Sequence, residues 1–275
     1  MSSMRTTPPG GHAIITGGSS GIGLALAHSL ARRGYSVSIL ARNLDRLAAA
    51  KKAIEQNCHD GACIRTYSVD VGNAEACLEG VARSVDAFGP PAWAIACAGI
   101  VRPGRFLEQP LETHAEQIRT NYHGSLHFAH AVAPIMVEAE GGRLVFIATG
   151  AAFVGIYGYG SYAPSKFALR GLAETLRVEL RRAQVAVTLV YPADTNTPQL
   201  WAEAPLRPKV TQAIASGAGV WQPEAVAERI IRCAERGAFT VTFGWRLQIL
   251  SRLHSLIAPA FQLYQDHMVK LYERP

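Results

Sequence analysis

The chain has 275 residues, nearly half of them hydrophobic, which is enough to bury the core of one large α/β domain or of two small ones. Its formal net charge of +6 favours anionic partners in general, but the basic residues are scattered, so we predict no nucleic-acid partner. The five cysteines fit no zinc or disulfide spacing, and no stretch has the apolar length of a membrane-spanning helix. Both observations favour a reduced, cytoplasmic protein that is attached at most to the inner membrane surface.

Short apolar runs alternate with amphipathic helical patterns along the chain. We predict strands at 12–16, 35–41, 63–70, 92–98, 143–149 and 185–192, with a weaker seventh at 239–244. Helical patterns fall at roughly 21–34, 43–57, 73–88, 111–138, 160–183 and 223–236. This alternation predicts one α/β domain over 11–244, a doubly wound parallel sheet with helices on both faces, after a flexible N-terminus at 1–10.

A glycine-rich turn, ITGGSSGIG, directly follows the first predicted strand and opens the first helix. A phosphate needs a close approach to the backbone, which Cβ atoms would block, and a helix N-terminus supplies oriented N–H donors. The alternative is an ordinary glycine-rich turn, but the strand before it and the helix after it are the context that dinucleotide binding requires. The residues predicted to bind the cofactor here are Gly17, Ser19, Ser20, Gly21 and Ile22.

The end of the second predicted strand indicates which dinucleotide binds. A carboxylate there would hold the ribose 2′-hydroxyl of NAD. The sequence instead has Ala41 and then Arg42, whose guanidinium suits a 2′-phosphate, and Ser19 could add a hydrogen bond. We therefore predict NADP(H) as the cofactor; a solvated arginine at a helix start is the alternative.

Tyr162 and Lys166 stand four residues apart, ahead of an apolar helical stripe. Residues at this spacing share one face of a helix, which brings the ammonium beside the phenol. A free phenol has a pKa of about 10, and a neighbouring cation lowers it. Tyr162 would then exchange a proton near neutral pH. An ordinary helix start would explain the stripe, but not the glycine turn that accompanies this pair.

The two motifs together resemble those of the short-chain dehydrogenase/reductase family, and the resemblance covers nearly the whole chain. They read Thr16-Gly17-x-x-x-Gly21-Ile22-Gly23 and Tyr162-x-x-x-Lys166. The resemblance implies a single-domain Rossmann-type sheet of about seven strands, an NADP-dependent oxidoreductase, and a homodimer or homotetramer.

The resemblance also implies the catalytic roles. Tyr162 would exchange the proton with the substrate oxygen, while Lys166 lowers the pKa of Tyr162 and binds the nicotinamide ribose. Asn121 would hold a water molecule in a proton relay. Thr149, thirteen residues before Tyr162, takes the place of the family's usual serine. Threonine keeps the hydroxyl that polarises the carbonyl but adds a methyl group and a stiffer χ1.

Further contacts follow from the same resemblance. Those with the cofactor are assigned to Asp70, Val71, Ala98, Gly99, Pro192, Thr195 and Thr197, in addition to Tyr162 and Lys166. Those with the substrate are assigned to Thr149, Tyr162 and Trp201.

A narrower resemblance, to the 3-ketodihydrosphingosine (3-ketosphinganine) reductases, rests on stretches such as CAGIVRPGRF and YPADTNTP. It implies reduction of the 3-keto group of a long-chain sphingoid base in sphingolipid synthesis. The loop predicted at 193–222, with Trp201 and Trp221, would supply apolar surface for the alkyl chain, at about 0.8 kcal/mol per buried CH₂. Two alternatives stay open: a reductase for another bulky carbonyl (3-oxoacyl, steroid or xenobiotic), and a non-catalytic NADP-binding regulator.

The apolar tail at 245–275 has leucines at helical spacing, which we expect Pro259 to interrupt. It would pack on its own domain or on a partner subunit, or else contact an anionic membrane surface through basic residues such as Arg246. His123, His127 and His130 share one helix face, but no further ligand stands at a suitable spacing, so we predict no metal.

Overall fold

The computed structural model describes residues 10–215 and 219–273 of the chain. Nearly all of the predicted N-terminal segment, and the last two residues of the predicted tail, lie outside these ranges.

Seven parallel strands form one sheet in the order β3-β2-β1-β4-β5-β6-β7, as the alternating pattern predicts. The order reverses between β1 and β4, and this reversal opens a crevice at the carboxyl ends of the two strands. The strands are β1 His12–Thr16, β2 Ser36–Ala41, β3 Ile64–Ser68, β4 Pro91–Ala96, β5 Gly142–Ile147, β6 Val185–Tyr191 and β7 Thr240–Thr242.

Helices cover both faces of the sheet. The helices are α1 Gly21–Arg32, α2 Leu44–Glu55, α3 Ala74–Phe88, α4 Leu111–Gln117, α5 Gly124–Glu138, α6 Ala163–Glu179, α7 Pro198–Glu203, α8 Lys209–Ala215, α9 Pro223–Glu235 and α10 Trp245–Tyr272. The core on one face draws on α1, α2 and α9, and the core on the other on α3, α5 and α6. Every residue of β1 and β4 is buried between them, and apolar residues dominate both strands.

The helix predicted at 111–138 is divided in the structure. Between α4 and α5 the chain widens into a π-helical segment, Ile118–His123, and this segment carries Asn121. Such segments are rare and are frequent at functional sites. The apolar periodicity does not show the division, because the π-helical segment is only six residues long.

The stretch predicted at 193–222 as a long loop or lid contains two short helices, α7 and α8, joined through a 3₁₀ turn, Ala204–Leu206. Trp221, which we expected near the substrate, packs instead against the core, with its ring centroid 5.3 Å from that of Phe243.

Helix α10 spans almost the whole tail, and its backbone departs from helical geometry at Leu253 rather than at Pro259. The expectation for Pro259 is therefore wrong: the helix continues through this residue, whose fixed φ is compatible with helical geometry. None of the described helices combines the length and hydropathy that crossing a bilayer requires.

Candidate active site

The glycine turn lies at the carboxyl end of β1, against the chain that leaves β4. Gly17 has φ of +68°, and a Cβ there would come within 2.8 Å of the backbone of Ala98. Ser20 is the N-cap of α1, yet its side chain makes no capping hydrogen bond. Exposed N–H donors and the positive end of the helix dipole therefore face the crevice, an arrangement suited to a phosphate.

Two threonines join the glycine turn to its surroundings. The Thr16 hydroxyl accepts hydrogen bonds from the N–H groups of Cys97 at 3.1 Å and Ala98 at 3.2 Å. Thr197 packs on the other side, since a Cβ on Gly21 would lie 3.0 Å from its methyl carbon. The turn, the chain that leaves β4 and the residue before α7 thus lie against one another.

Arg42 lies immediately beyond the carboxyl end of β2. Its side chain is exposed and forms no ion pair with any other described residue. Asp70, at the end of β3, turns its carboxylate toward its own loop and accepts a hydrogen bond from the Gly72 N–H at 3.0 Å. Both residues thus border the same edge of the sheet, where the charged group of Arg42 is exposed.

The remaining predicted cofactor residues fall along the same edge, where they line the crevice to different depths. Ser19, Ile22, Gly99 and Pro192 are partly exposed, whereas Val71 and Thr195 are buried.

Tyr162 stands directly before α6, opposite Thr149, which follows β5. A hydrogen bond from the Thr149 side chain reaches the Tyr162 phenol. Lys166 lies one turn along α6; its buried Nζ donates to the Ile147 carbonyl at 2.9 Å and lies 5.8 Å from the centre of the Tyr162 ring. The structure therefore brings three of the four predicted catalytic side chains, Thr149, Tyr162 and Lys166, together at the end of β5.

The pKa of Tyr162 differs from the sequence expectation. Burial raises it above its ordinary value, the charge of Glu203 raises it further, and the bond from Thr149 opposes both. Lys166 was expected to lower this pKa, but its ammonium is turned to the Ile147 carbonyl, and burial lowers the pKa of Lys166 itself to about 8. In this structure the phenol therefore keeps its proton at neutral pH.

Asn121 reaches the site from the π-helical segment and holds the loop that follows β4. Its Nδ2 donates to the Ile100 carbonyl at 2.9 Å and to Ser165 Oγ at 3.0 Å. Its Oδ1 accepts from the Ile100 N–H at 2.8 Å. Both amide hydrogens are donated within the protein, so the expected part in a water relay stays a prediction.

Sequence reasoning missed a buried network beside Tyr162. The Tyr159 hydroxyl donates to Glu203 at 2.7 Å, and Arg207 binds both Glu203 and Asp194. The four-residue spacing of Glu203 and Arg207 was readable as a helical ion pair. Nothing in that spacing, however, indicated that the pair would be buried against the catalytic phenol.

The predicted substrate contact at Trp201 does not join this cluster. Its ring is 63% exposed, and its Nε1 donates to Asn196 at 2.8 Å. A mainly apolar cleft of about 550 Å³ lies nearer to Tyr162, between the start of α6 and α10, with Tyr159, Ala163 and Phe167 in its lining.

Two groups away from the catalytic residues are a histidine and a cysteine. His127 Nδ1 is hydrogen-bonded to the Val71 carbonyl at 2.9 Å, and the described residues contain no cluster of His, Cys, Asp and Glu able to hold a metal. Cys97 packs against the core, and burial raises the pKa of its thiol to about 12, so it is an unreactive thiol.

Comparison with known proteins agrees with this geometry. A family model described as short chain dehydrogenase matches residues 11–205. The chain is 37% identical to a 3-ketodihydrosphingosine reductase of Bos taurus, over 94% of this chain and 78% of that protein. It is 36% identical to a 3-dehydrosphinganine reductase of Danio rerio, over 91% of this chain and 76% of that protein.

Solved structures show the same fold. An alcohol dehydrogenase from the archaeon Thermococcus sibiricus, complexed with 5-hydroxy-NADP, matches with a TM-score of 0.72 and 25% identity, over 84% of this chain and 95% of that one. A short-chain type dehydrogenase/reductase from Mycobacterium marinum matches with a TM-score of 0.76 and 25% identity, over 85% and 94% of the two chains.

Proposed function

Because the chain belongs to the short-chain dehydrogenase family, we propose that it reduces a ketone to a secondary alcohol with NADPH. The observation that carries this proposal is the meeting of Tyr162, Thr149 and Lys166 at the end of β5, beside the glycine turn. The non-catalytic alternative gives no reason for a phenol, a hydroxyl and an ammonium to converge there.

The crevice fits the dinucleotide. The close packing at Gly17 has no room for a side chain at that position of the turn. The N-terminus of α1, whose N–H groups no side chain caps, would hold the pyrophosphate. Arg42, exposed at the end of β2, would hold the 2′-phosphate that distinguishes NADP from NAD. NADPH, when bound, supplies the hydride that reduces the carbonyl carbon.

Side chains of the protein supply the proton and stabilise the charge that develops on the substrate oxygen. Tyr162 keeps its proton at neutral pH and donates it to the substrate oxygen as negative charge develops there. The Thr149 hydroxyl donates a hydrogen bond to the same oxygen, which stabilises that charge. With a pKa of about 8, Lys166 is mostly cationic at neutral pH, and its ammonium, held by the Ile147 carbonyl, would bind the nicotinamide ribose.

The substrate that we propose is the 3-keto group of a long-chain sphingoid base, 3-ketodihydrosphingosine. Its support comes from relatives that bear this activity in their names and match more than nine-tenths of this chain. The apolar cleft beside Tyr159 adds support from the structure, because a saturated chain gains about 0.8 kcal/mol for each CH₂ that leaves water.

Two further proposals concern the molecule as a whole. We propose that the tail at 245–275 belongs to the same domain as residues 11–244, because Leu250, Ala258 and Phe261 of α10 pack on its core. We also propose a homo-oligomer, and contact of the outer face of α10 with an anionic membrane surface, where the protein would meet a lipid substrate.

A substrate panel tests the function. Consumption of NADPH is followed with 3-ketodihydrosphingosine, a 3-oxoacyl thioester, a steroid ketone and a small aliphatic ketone, and each assay is repeated with NADH. We expect the sphingoid ketone to give the highest kcat/KM, with NADPH preferred. Preference for another ketone would replace the substrate, and tight NADPH binding without turnover of any ketone would favour the regulatory alternative.

A further inference from the structure

A chain of buried polar groups ends against the catalytic phenol. Tyr159 packs edge-on against Tyr162, with ring centroids 5.5 Å apart, and its hydroxyl donates to Glu203 Oε1 at 2.7 Å. Arg207 donates to the same oxygen from Nε at 2.9 Å and holds Asp194 with two further hydrogen bonds. The network thus links α7 and the loop after β6 to the residue that stands directly before α6.

The first residue of this buried network, Tyr159, also fixes the backbone at Tyr162. The Tyr159 carbonyl accepts hydrogen bonds from the N–H groups of Tyr162 at 3.0 Å and Ala163 at 2.8 Å. A shift of Tyr159 would therefore displace the start of α6 and the phenol that it carries. Since Glu203 is the side-chain partner of the Tyr159 hydroxyl, it determines where this turn lies.

The network also carries an uncompensated charge. Two carboxylates face one guanidinium, and Glu203 is only 7% exposed, so water screens this charge weakly. Glu203 and Asp194 raise the pKa of Tyr162, while Arg207 lowers it. The ionisable groups nearest to Tyr162 and Lys166 are Tyr159 in the preceding turn, Asp194 after β6, Glu203 on α7, Arg207 beyond it, and Cys97 after β4.

We propose that Glu203, acting through Tyr159, is a positioning residue that holds the Tyr162 phenol in place and keeps its proton on it during ketone reduction. The proposal rests on the proposed function, since reduction needs the phenol as an acid. Alcohol oxidation needs the phenolate as a base, so the charge of Glu203 also sets how alkaline the solution must be before oxidation starts.

The pH profile of Glu203→Gln tests the charge. The amide keeps an oxygen for the Tyr159 hydroxyl but removes the negative charge. We expect the alkaline fall in kcat/KM for reduction, and the alkaline rise for oxidation, to move to lower pH by about one unit. Glu203→Asp, which keeps the charge, should restore the profile, and Glu79→Gln, on the exposed face of α3, should leave it unchanged.

Tyr159→Phe separates position from charge. The ring still packs on Tyr162, and Glu203 keeps its charge, but the hydroxyl that joins them is gone. We expect kcat to fall several-fold, while the alkaline fall in kcat/KM for reduction stays at the same pH. If Glu203→Gln does not fold, Asp194→Asn offers a second test, because it removes the other negative charge from a side chain that is 30% exposed. This variant should also move the alkaline fall in kcat/KM to lower pH.

A cofactor-free measurement keeps this inference apart from the proposed function. Carbon-13 labelling of the tyrosine ring, with the Tyr162 resonance assigned by its loss in Tyr162→Phe, reports ionisation of the phenol in the free protein. We expect the resonance to begin titrating at lower pH in Glu203→Gln than in the unmodified chain. A uniform loss of activity at every pH, with the Tyr162 resonance unmoved, would overturn the proposal even if the chain reduces ketones as proposed.

Discussion

The proposed proton donor to the substrate oxygen is the phenol of Tyr162. Replacing it by phenylalanine removes the hydroxyl and keeps the ring packed against Tyr159. We expect Tyr162→Phe to lower kcat by about 10²–10⁴-fold, the range that general acid catalysis contributes. NADPH affinity, measured by quenching of protein fluorescence, should change little, because the glycine turn and Arg42 are untouched.

The contrast with Tyr159→Phe sharpens this test, because that variant keeps the proton donor and loses only a supporting hydroxyl. A Tyr162→Phe protein that retained full turnover would show that another group supplies the proton and would remove the chemical basis of the site.

Residues that act through local backbone geometry were predictable from the sequence; those that act through tertiary burial were not. Gly17 was identified because its neighbours alone define a strand, a turn and a helix. Glu203 was missed because its importance comes from burial against Tyr159, which lies 44 residues earlier in the chain. For the same reason, the four-residue spacing placed Lys166 beside Tyr162 but could not show that its Nζ binds the Ile147 carbonyl.

At the scale of elements, the seven strands and their parallel arrangement followed from alternation, because buried parallel strands are short apolar runs between amphipathic helices. Three elements escaped this reasoning. The π-helical segment at Ile118–His123 is only six residues long, too short for a change of period to stand out within the longer helical pattern. Helices α7 and α8 are only 6 and 7 residues long, too short for a periodic signal to stand out among prolines and glycines.

The first strand carries a buried histidine whose titration couples folding to pH. His12 Nδ1 donates to the Gly89 carbonyl at 2.8 Å, and its Nε2 pairs with Ser38 Oγ at 2.9 Å. Burial lowers its pKa from 6.5 to about 4. Between these values the unfolded chain takes up a proton that the folded chain does not, so the free energy of unfolding falls as the pH falls.

From pH 7 to pH 5, this one group should lower the free energy of unfolding by about 2 kcal/mol. Urea unfolding of the unmodified chain and of His12→Gln at both pH values measures the effect. Glutamine is uncharged throughout this range, so the free energy of unfolding of His12→Gln should change by about 2 kcal/mol less between the two pH values. His59→Gln, at an exposed site, serves as the control; equal pH dependence of all three proteins would contradict the assignment to His12.

At the scale of the whole molecule, α10 is the element whose role the fold leaves open. One side of it packs on the domain through residues such as Phe261, while Leu256 and Leu263, one above the other on the opposite side, are 77% and 71% exposed. An apolar face of this kind on a helix that also carries Arg246 and Lys270 matches an interfacial membrane helix. A face covered by a second copy of the chain would look the same in one subunit.

Leu256→Glu/Leu263→Glu separates these two roles. If the face contacts lipid, the unmodified chain sediments with phosphatidylglycerol vesicles, more weakly at high salt, and the double variant should lose at least tenfold in affinity, since burying two leucines is worth more than about 1.4 kcal/mol. Turnover of a small, water-soluble ketone should stay unchanged, as both leucines lie outside the site. Leu78→Glu, on α3, is the matched control. A variant that binds vesicles normally but changes from dimer to monomer in the ultracentrifuge would instead make this face a subunit interface.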